Sequence, residues 1–225
     1  MNVSMWMTRE VLTVKPETPD AEAAKLMAQQ RVRRLVVVEV WPDGPHLLGI
    51  VSAKDVLHAF PPHVNPFAIE GPDVRLTPTT VGEIMTASPH AVKPETPIEE
   101  AAALMNSYKI GALPVLRDGT LAGIITESDI FRAFVSLFGP EEAGARITFD
   151  ATRGEDMFEL MGTMSKRHHL RVLSLIWTRH DQLPVCVVRV TGGNVDRMLD
   201  ELWNSGHPVV NVIRFPEKHE KKTRD

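Results

Sequence analysis

The feature that most constrains this chain is its likeness to itself. "MTREVLTVKPETP" begins at Met7 and "MTASPHAVKPETP" at Met85. Residues 7–39 set against 85–117, an offset of 78, share 15 identities in 33 positions. Residues 49–60 against 123–134, an offset of 74, share 5 in 12. Average residue usage accounts for about three matches in all by chance. The change of offset places four extra residues in the first copy, around Trp41 and Asp43. A solenoid needs about three or more units, so two copies are expected to close as a pseudo-twofold pair.

Both copies have the same local pattern. "LTVKPETP" is a short extended piece closed by prolines, which cannot continue a strand ladder. Thr18 or Thr96 is placed to cap the next helix, with proline near its first turn. That helix covers 20–31 and 98–109, where Ala23, Leu26 and Met27, and again Ala101, Leu104 and Met105, recur at helical spacing. Apolar runs at 35–40 and 113–116 suit a buried strand. Turns are expected at Asp43 and Gly44 and at Asp118 and Gly119, followed by strands over 47–51 and 121–125. A last helix starts near Ser52 or Thr126 and ends near Phe60 or Phe138. The predicted order is short strand, helix, strand, strand, helix.

Composition narrows the function classes. The chain is 43% hydrophobic and 24% charged over 225 residues, enough for a sizeable core without a metal or disulfide staple. One cysteine excludes an internal disulfide. A net charge of -4 gives no general attraction to nucleic acid or an anionic membrane. No apolar stretch reaches the roughly 18 residues that span a bilayer. Residues 1–10 lack the basic flank and apolar core of a signal peptide. A soluble cytoplasmic protein is the expectation.

Specific motifs carry a family resemblance. "GIVSAKDVL" (49–57) and "GIITESDIF" (123–131) have glycine, two apolar residues, Ser or Thr, two variable residues, then Asp. "KIGALPVL" (109–116) and "EIMT" (83–86) add a strand entry and a repeat opening. Together they resemble the CBS domain, and the pair resembles a Bateman module, over about residues 1–138. Val36 departs from the pattern, which often has proline there. The resemblance implies an adenine nucleotide (AMP, ADP or ATP) or S-adenosylmethionine as a regulatory ligand, with no catalytic cofactor, and pairing into a homodimer.

The signature has its own physical case for such a ligand. Glycine lets the backbone approach a ligand closely. Ser52 and Thr126 sit at a helix start, where free N–H groups favour phosphate. Asp55 and Asp129, three residues on, have a carboxylate suited to a ribose diol. Adenine would lie between the short strands and the Val32 or Ile110 region. The same Ser/Thr-to-Asp spacing is also a capping box variant, which needs no ligand. In CBS domains the positions of Arg33 and Arg34 commonly face the cleft, and Lys54 is similarly placed, so these three are the candidate phosphate ligands. A solvated basic face is their alternative. The second copy has Gly111 and Ala112 where the first has the two arginines, so one good site and one weaker or empty site are expected.

Residues 61–80 hold five prolines and form a connector in which His63 and Phe67 are surface packing rather than chemistry. Gly139, Pro140 and a polar run mark a boundary. Beyond it come a strand in "RITFDAT", a helix with Met157, Leu160, Met161 and Met164 on one face, two strands about the "HDQ" turn, a helix from Asn194 to Gly206, and a strand in "HPVVNVIRF". That order, βαββαβ, gives a ferredoxin-like sheet. "FDATRGEDMFELM" (149–161) resembles the first loop of an ACT domain, in which Gly154 with Asp150 nearby would frame an amino-acid site. A plain helix-entry turn is the preferred role for Gly154. A CBS pair followed by an ACT-like domain also resembles the AcuB-type acetoin-utilisation proteins. The tail, 217–225, is a polar run expected to be frayed.

Enzyme signatures fail in turn. There is no P-loop, GxGxxG or G-x-S-x-G motif. Cys186 lies in an apolar strand and is expected to be a buried inert thiol. His168 and His169 are adjacent and lack chelating spacing. The expected fold class is α/β (α+β): CBS repeat 1 at 1–60, linker 61–80, CBS repeat 2 at 81–138, ACT-like domain 139–216. The expected function is a non-catalytic sensor of an adenosyl ligand acting on an unidentified regulated protein. A structural dimerisation module with an empty cleft, or an amino-acid sensor acting through the ACT-like part, are the rivals.

Overall fold

The structure is a computed structural model that describes residues 1–60, 65–67, 79–138 and 143–216. Contacts divide the chain into two compact units, Met1–Phe134 and Val135–Asp225. His63, Gly139, Pro140 and the tail 217–225 lie outside the described residues.

The first unit is the repeated half. It runs through β1 (Thr13–Val14), α1 (Asp20–Gln30), β2 (Arg34–Trp41), β3 (Gly44–Ser52) and α2 (Ala53–Ala59). It continues with α3 (Val81–Ile84), β4 (Thr86–Ala87), α4 (Ile98–Tyr108), β5 (Ala112–Arg117), β6 (Thr120–Thr126) and α5 (Glu127–Phe138), whose last turn belongs to the second unit. One sheet in the order β1-β2-β3-β6-β5 joins the copies, and the two hairpins meet at His46 and Thr120. Both hairpins carry a bulge at the same place, Val37/Val38 and Val115/Leu116. The four extra residues of the first copy lengthen the hairpin arms, giving strands of 8 and 9 residues against 6 and 7, rather than the loop. Its turn is therefore Pro42 and Asp43, one residue earlier than the sequence reading placed it.

The helix starts differ from expectation. Thr18 and Thr96 do not cap α1 and α4. Their Oγ1 atoms accept from the backbone N–H of Lys15 and Lys93, at 3.2 and 3.1 Å, closing the preceding turn. Pro19 and Pro97 hold the N-cap positions without a side-chain bond. The helices end one residue early, with Arg31 and Lys109 in the left-handed region at φ 53° and 54°. That conformation favours glycine, so two cations hold a sparsely populated backbone at equivalent positions.

Val36 and Pro114 are equivalent, and they account for a difference between the copies. The Val36 N–H donates to the Leu12 carbonyl at 3.2 Å, and β1 pairs in parallel with β2. Pro114 has no N–H. The corresponding pairing shrinks to a single bridge between Val92 and Val115.

The sequence halves are not the packing halves. A 3-10 turn, Val3–Met5, opens the chain, and Val3 and Met7 are buried in the core of the second copy with Ala101, Met105, Leu113 and Ile125. Val81, Ile84 and Met85 pack against the core of the first copy, with Ala23, Met27, Leu35 and Val51. Each copy thus lends its opening segment to the other. Gly49 and Gly123 serve this exchange. A Cβ on Gly123 would lie 2.8 Å from Met7 Sδ and 2.9 Å from the Thr8 carbonyl oxygen. One on Gly49 would meet the Met85 sulfur and the Thr86 carbonyl oxygen. Close approach does require glycine there, but what approaches is chain, not ligand. Phe67, in the connector, packs against the first core.

The second unit contains β7 (Gly144–Asp150), α6 (Met157–Arg167), β8 (Leu170–His180), β9 (Leu183–Gly192), α7 (Val195–Asn204) and β10 (Val209–Phe215). The order is βαββαβ, and the antiparallel sheet runs β10-β7-β9-β8. Ile147, Phe149, Cys186, Val188 and Val190 face Met157, Met161, Met164, Met198 and Leu202 in one core. Alternation along the strands and period 3.6 on the helices place these residues. Asp181 and Gln182, both at positive φ, make the β8–β9 turn.

Candidate functional site

The site lies within the first unit, where the two copies face each other. A cavity of about 570 Å³ is bounded by the start of α2 (Ser52, Ala53, Lys54, Asp55), by Arg33 and Arg34 before and at the start of β2, and by Lys109, Ile110, Gly111 and Ala112 before β5. Thr86, Ser88, Pro89 and His90 close it from the second copy's opening segment. A smaller cavity of about 290 Å³ is its pseudo-twofold counterpart. Thr126 at the end of β6, Asp129 of α5's first turn, Val32, and Thr8, Glu10, Val11 and Leu12 line it, and Arg33, Arg34 and Gly111 border both. The structure therefore sorts the candidates: Arg33, Arg34, Ser52, Lys54, Asp55 and Ile110 at the larger cavity, and Val32, Thr126 and Asp129 at the smaller.

The two signatures form the same local device. Ser52 N–H and Oγ–H both donate to Asp55 Oδ2, at 2.8 and 2.7 Å, and Ser52 Oγ accepts the Asp55 N–H at 3.3 Å. Thr126 N–H and Oγ1–H donate in the same way to Asp129 Oδ2, at 2.8 and 2.7 Å. Around Ser52 this is the full capping box, and Thr126 with Asp129 repeats its reach-back half. It corrects part of the phosphate argument. The hydroxyl proton is already spent on the carboxylate, and the Ala53 N–H donates to the Arg33 carbonyl at 2.9 Å. The seven-residue α2 retains little of the free-donor terminus that an anion would use. The anion-binding capacity therefore rests on side chains.

Asp55 and Asp129 differ at the other oxygen. None of the capping bonds uses Asp55 Oδ1, whereas Asp129 Oδ1 accepts from Arg132. Their surroundings differ in charge as well. Arg33, Arg34, Lys54 and Lys109 border the larger cavity against the single carboxylate of Asp55. Arg34 is half-buried. Burial, and then the neighbouring Arg33, push its pKa below the usual arginine value, with Glu127 and Asp55 opposing. Its guanidinium lies over Gly111, where a Cβ would collide with it and sit 2.6 Å from Glu127 Oε2. The glycine that replaces an arginine in the second copy thus makes room for an arginine of the first.

Sequence reasoning missed the contribution of Thr86, Ser88, Pro89 and His90. Their signal was the proline at 114, which denies the His90 carbonyl the N–H that Val36 gives the Leu12 carbonyl. It also missed Lys109, whose cue was a cation in place of glycine at a helix end. The His90 ring stacks on Tyr108 at 3.8 Å between centroids.

The CBS domain family matches residues 3–62 and 81–136. The chain belongs to the CBS-domain family. It is 35% identical over 127 residues, 56% of its length, to inosine-5'-monophosphate dehydrogenase of Korarchaeum cryptofilum, and spans 23% of that enzyme. A solved Vibrio cholerae structure named for acetoin utilization (AcuB) is similar, with 30% identity, coverage of 61% of this chain and 93% of that one, and a TM-score of 0.50. The crystal structure of CBSX2, determined in complex with AMP, aligns with 29% identity over 60% of this chain and 97% of that one, with a TM-score of 0.49.

In the second unit, Gly154 has φ 73° and open space about its Cα. It lies in the turn before α6, whose N-cap is Asp156, and Asp150 accepts the Thr152 N–H at 2.7 Å. Cys186 is fully buried, and burial pushes its thiol up to about 12. His168, past the end of α6, meets Glu201 at 2.5 Å. Among the described residues no cluster of His, Cys, Asp or Glu fits a metal ion, and no helix is long and apolar enough to cross a membrane.

Proposed function

We propose that this CBS pair is a non-catalytic regulatory sensor that binds an adenine nucleotide or adenosyl ligand in the larger cavity. The observation carrying this reading is the charge of that cavity, four side-chain cations against one carboxylate beside a Ser–Asp capping box. Among the described residues, none of Arg33, Arg34, Lys54 and Lys109 is ion-paired. Arg34 is half-buried and the other three are exposed, and cations gathered round one carboxylate favour a phosphate. Arg33, Arg34 and Lys54 hold it, Asp55 Oδ1 takes a ribose hydroxyl, and adenine packs on Ile110 between Pro89 and His90, where the His90 carbonyl accepts from the base. Because the cavity is built from both copies, ligand binding biases the angle between them, which a protein partner reads.

The same reading pairs two copies of the chain into a homodimer. Leu57 of α2 and Phe131 of α5 hold equivalent positions and are exposed, and they supply its apolar contact. The C-terminal unit has the strand order that an ACT-like role needs, and amino acids are tested with it. The experiment is a thermal-shift and calorimetric screen with AMP, ADP, ATP, S-adenosylmethionine and the amino acids, repeated on Arg34→Ala and Asp55→Ala. At 100 times the dissociation constant a true ligand adds about 2.7 kcal/mol. A shift with adenosyl compounds that both variants reduce supports the reading. A shift with amino acids alone moves sensing to the second unit, and no shift at all favours a structural module.

A further inference from the structure

We infer that the second unit carries a proton-operated latch, in which a proton on the buried His207 ring fastens Glu155, and with it the β7–α6 turn, to the segment that follows α7. His207 is 0% exposed and lies T-shaped against Phe149, at 6.0 Å between centroids. The Ser205 hydroxyl donates to the Leu202 carbonyl at 3.0 Å. A hydroxyl has one proton to give, so Ser205 Oγ accepts from His207 Nδ1–H, at 3.1 Å. The neutral ring therefore carries its proton on Nδ1, and Nε2 is a bare acceptor. Among the described residues Nε2 has no hydrogen-bond partner, although Glu155 Oε2 stands 3.5 Å away. A bare nitrogen and a carboxylate cannot bond. A second proton on the ring turns the same pair into a charge-assisted contact, and imidazole is the side chain that gains its charge between pH 8 and pH 5.

The turn already has one fixed clasp. Arg153 donates to the Ser205 carbonyl and lies over Gly206, at φ 80°, where a Cβ would collide with its guanidinium. Gly154, at φ 73°, separates that clasp from Glu155. Burial alone opposes a charge on His207, and the surrounding groups offset it. The turn brings Glu155, with Arg153 Nε at 3.6 Å from its Oε1. From β7 comes Asp150, whose carboxyl is held below the usual range first by hydrogen bonds from Thr152, with the His207 charge adding to them. Asp156 is spent on the N–H groups of Phe158 and Glu159, and Glu201 of α7 on Arg167 and His168. On β9, Cys186 is paired with Phe149 and keeps its proton. β10 opens with Val209 and Val210, neither of them titratable. Two carboxylates against one guanidinium thus favour the proton.

The test follows the full chain by histidine ring nitrogen NMR and by amide hydrogen exchange, corrected for the intrinsic effect of pH. At about pH 8 the His207 ring should be the Nδ1–H form, and at about pH 5.5 both nitrogens should carry protons. The amides of the turn should then open about tenfold less often at the lower pH, as a new hydrogen bond to a charged group implies. Glu155→Gln offers Nε2 an N–H and should keep the turn protected at both pH values. Glu155→Ala should leave it open at both. Glu155 is 44% exposed, so neither variant disturbs the core. An Nε2–H ring at the higher pH, a ring that stays neutral at the lower, or a pH-dependent turn in Glu155→Ala overturns the inference.

Discussion

The two CBS copies share strand order, bulge positions, capping boxes and exchanged opening segments, yet a handful of substitutions give them different cavities. Arg33 and Arg34 in one copy stand where Gly111 and Ala112 stand in the other. Arg34 lies over Gly111 in the space that the glycine leaves, and both arginines border both cavities. Val36 against Pro114 keeps β1 as a strand on one side and reduces its counterpart to a bridge on the other. Features of the backbone and core stay twofold, because the same residues pack in both. The polar rim does not, because solvated side chains can change without disturbing the core.

That contrast between common core and divided rim can be broken in stages. The largest effect should come from the exchanged segment. Met7→Ala removes a buried side chain from the second copy's core, and Met85→Ala a less buried one from the first. Urea unfolding should show about 2–4 kcal/mol lost for Met7→Ala and less for Met85→Ala. Equal and negligible losses would mean the opening segments do not belong to the cores. Asp55→Ala and Asp129→Ala should each cost about 1 kcal/mol as lost caps. Only Asp55→Ala should also weaken AMP, by about 30-fold, since a hydrogen bond to a charged group contributes about 2 kcal/mol. Calorimetry that finds both equally impaired would make the rim as symmetric as the core.

Gly49→Ala and Gly123→Ala probe what the signature glycines are for. Each should cost about 1–3 kcal/mol through collision with backbone carbonyls, and this loss should appear without any ligand. The second unit supplies a control outside the repeat. Burial raises the Cys186 thiol, so the folded chain holds its proton where the unfolded chain, with an ordinary thiol value of 9.0, has lost it. The contribution is fully present below pH 9 and declines as pH rises toward 12. Cys186→Ser should flatten that part of the stability profile, an effect on the order of 1 kcal/mol at pH 10. Pro114→Val should have the smallest effect. It restores an N–H for the His90 carbonyl, stabilises by under about 1 kcal/mol, and should protect that amide from hydrogen exchange. An unprotected amide would leave the strand-to-bridge difference without its explanation.

Much of this was legible in the chain. The repeat, the helix spacing of Ala23 and Met27 and of Ala101 and Met105, and the Ser/Thr-to-Asp signature located elements and cavity-lining residues together, because periodicity and capping are local properties. Two misplacements had one cause. The sequence pattern points to Thr18 and Thr96 as caps and to Gly49 and Gly123 as ligand-facing glycines. In each case the residue type was right for its chemistry, but the partner came from a distant part of the chain or from the turn just before.

The sequence by itself determined that there are two equivalent copies, which strands and helices each contains, and that a Ser–Asp or Thr–Asp box opens each last helix. Those follow from side-chain periodicity and backbone hydrogen bonding over a few residues. Only the tertiary structure decided which copy's core receives Val3 and Met7, which cavity each candidate lines, and that Arg34 sits above Gly111 between the two. Such pairings join residues 70 or more positions apart. They are settled by which surfaces exclude water from each other when the hairpins meet, and no short stretch of sequence records that.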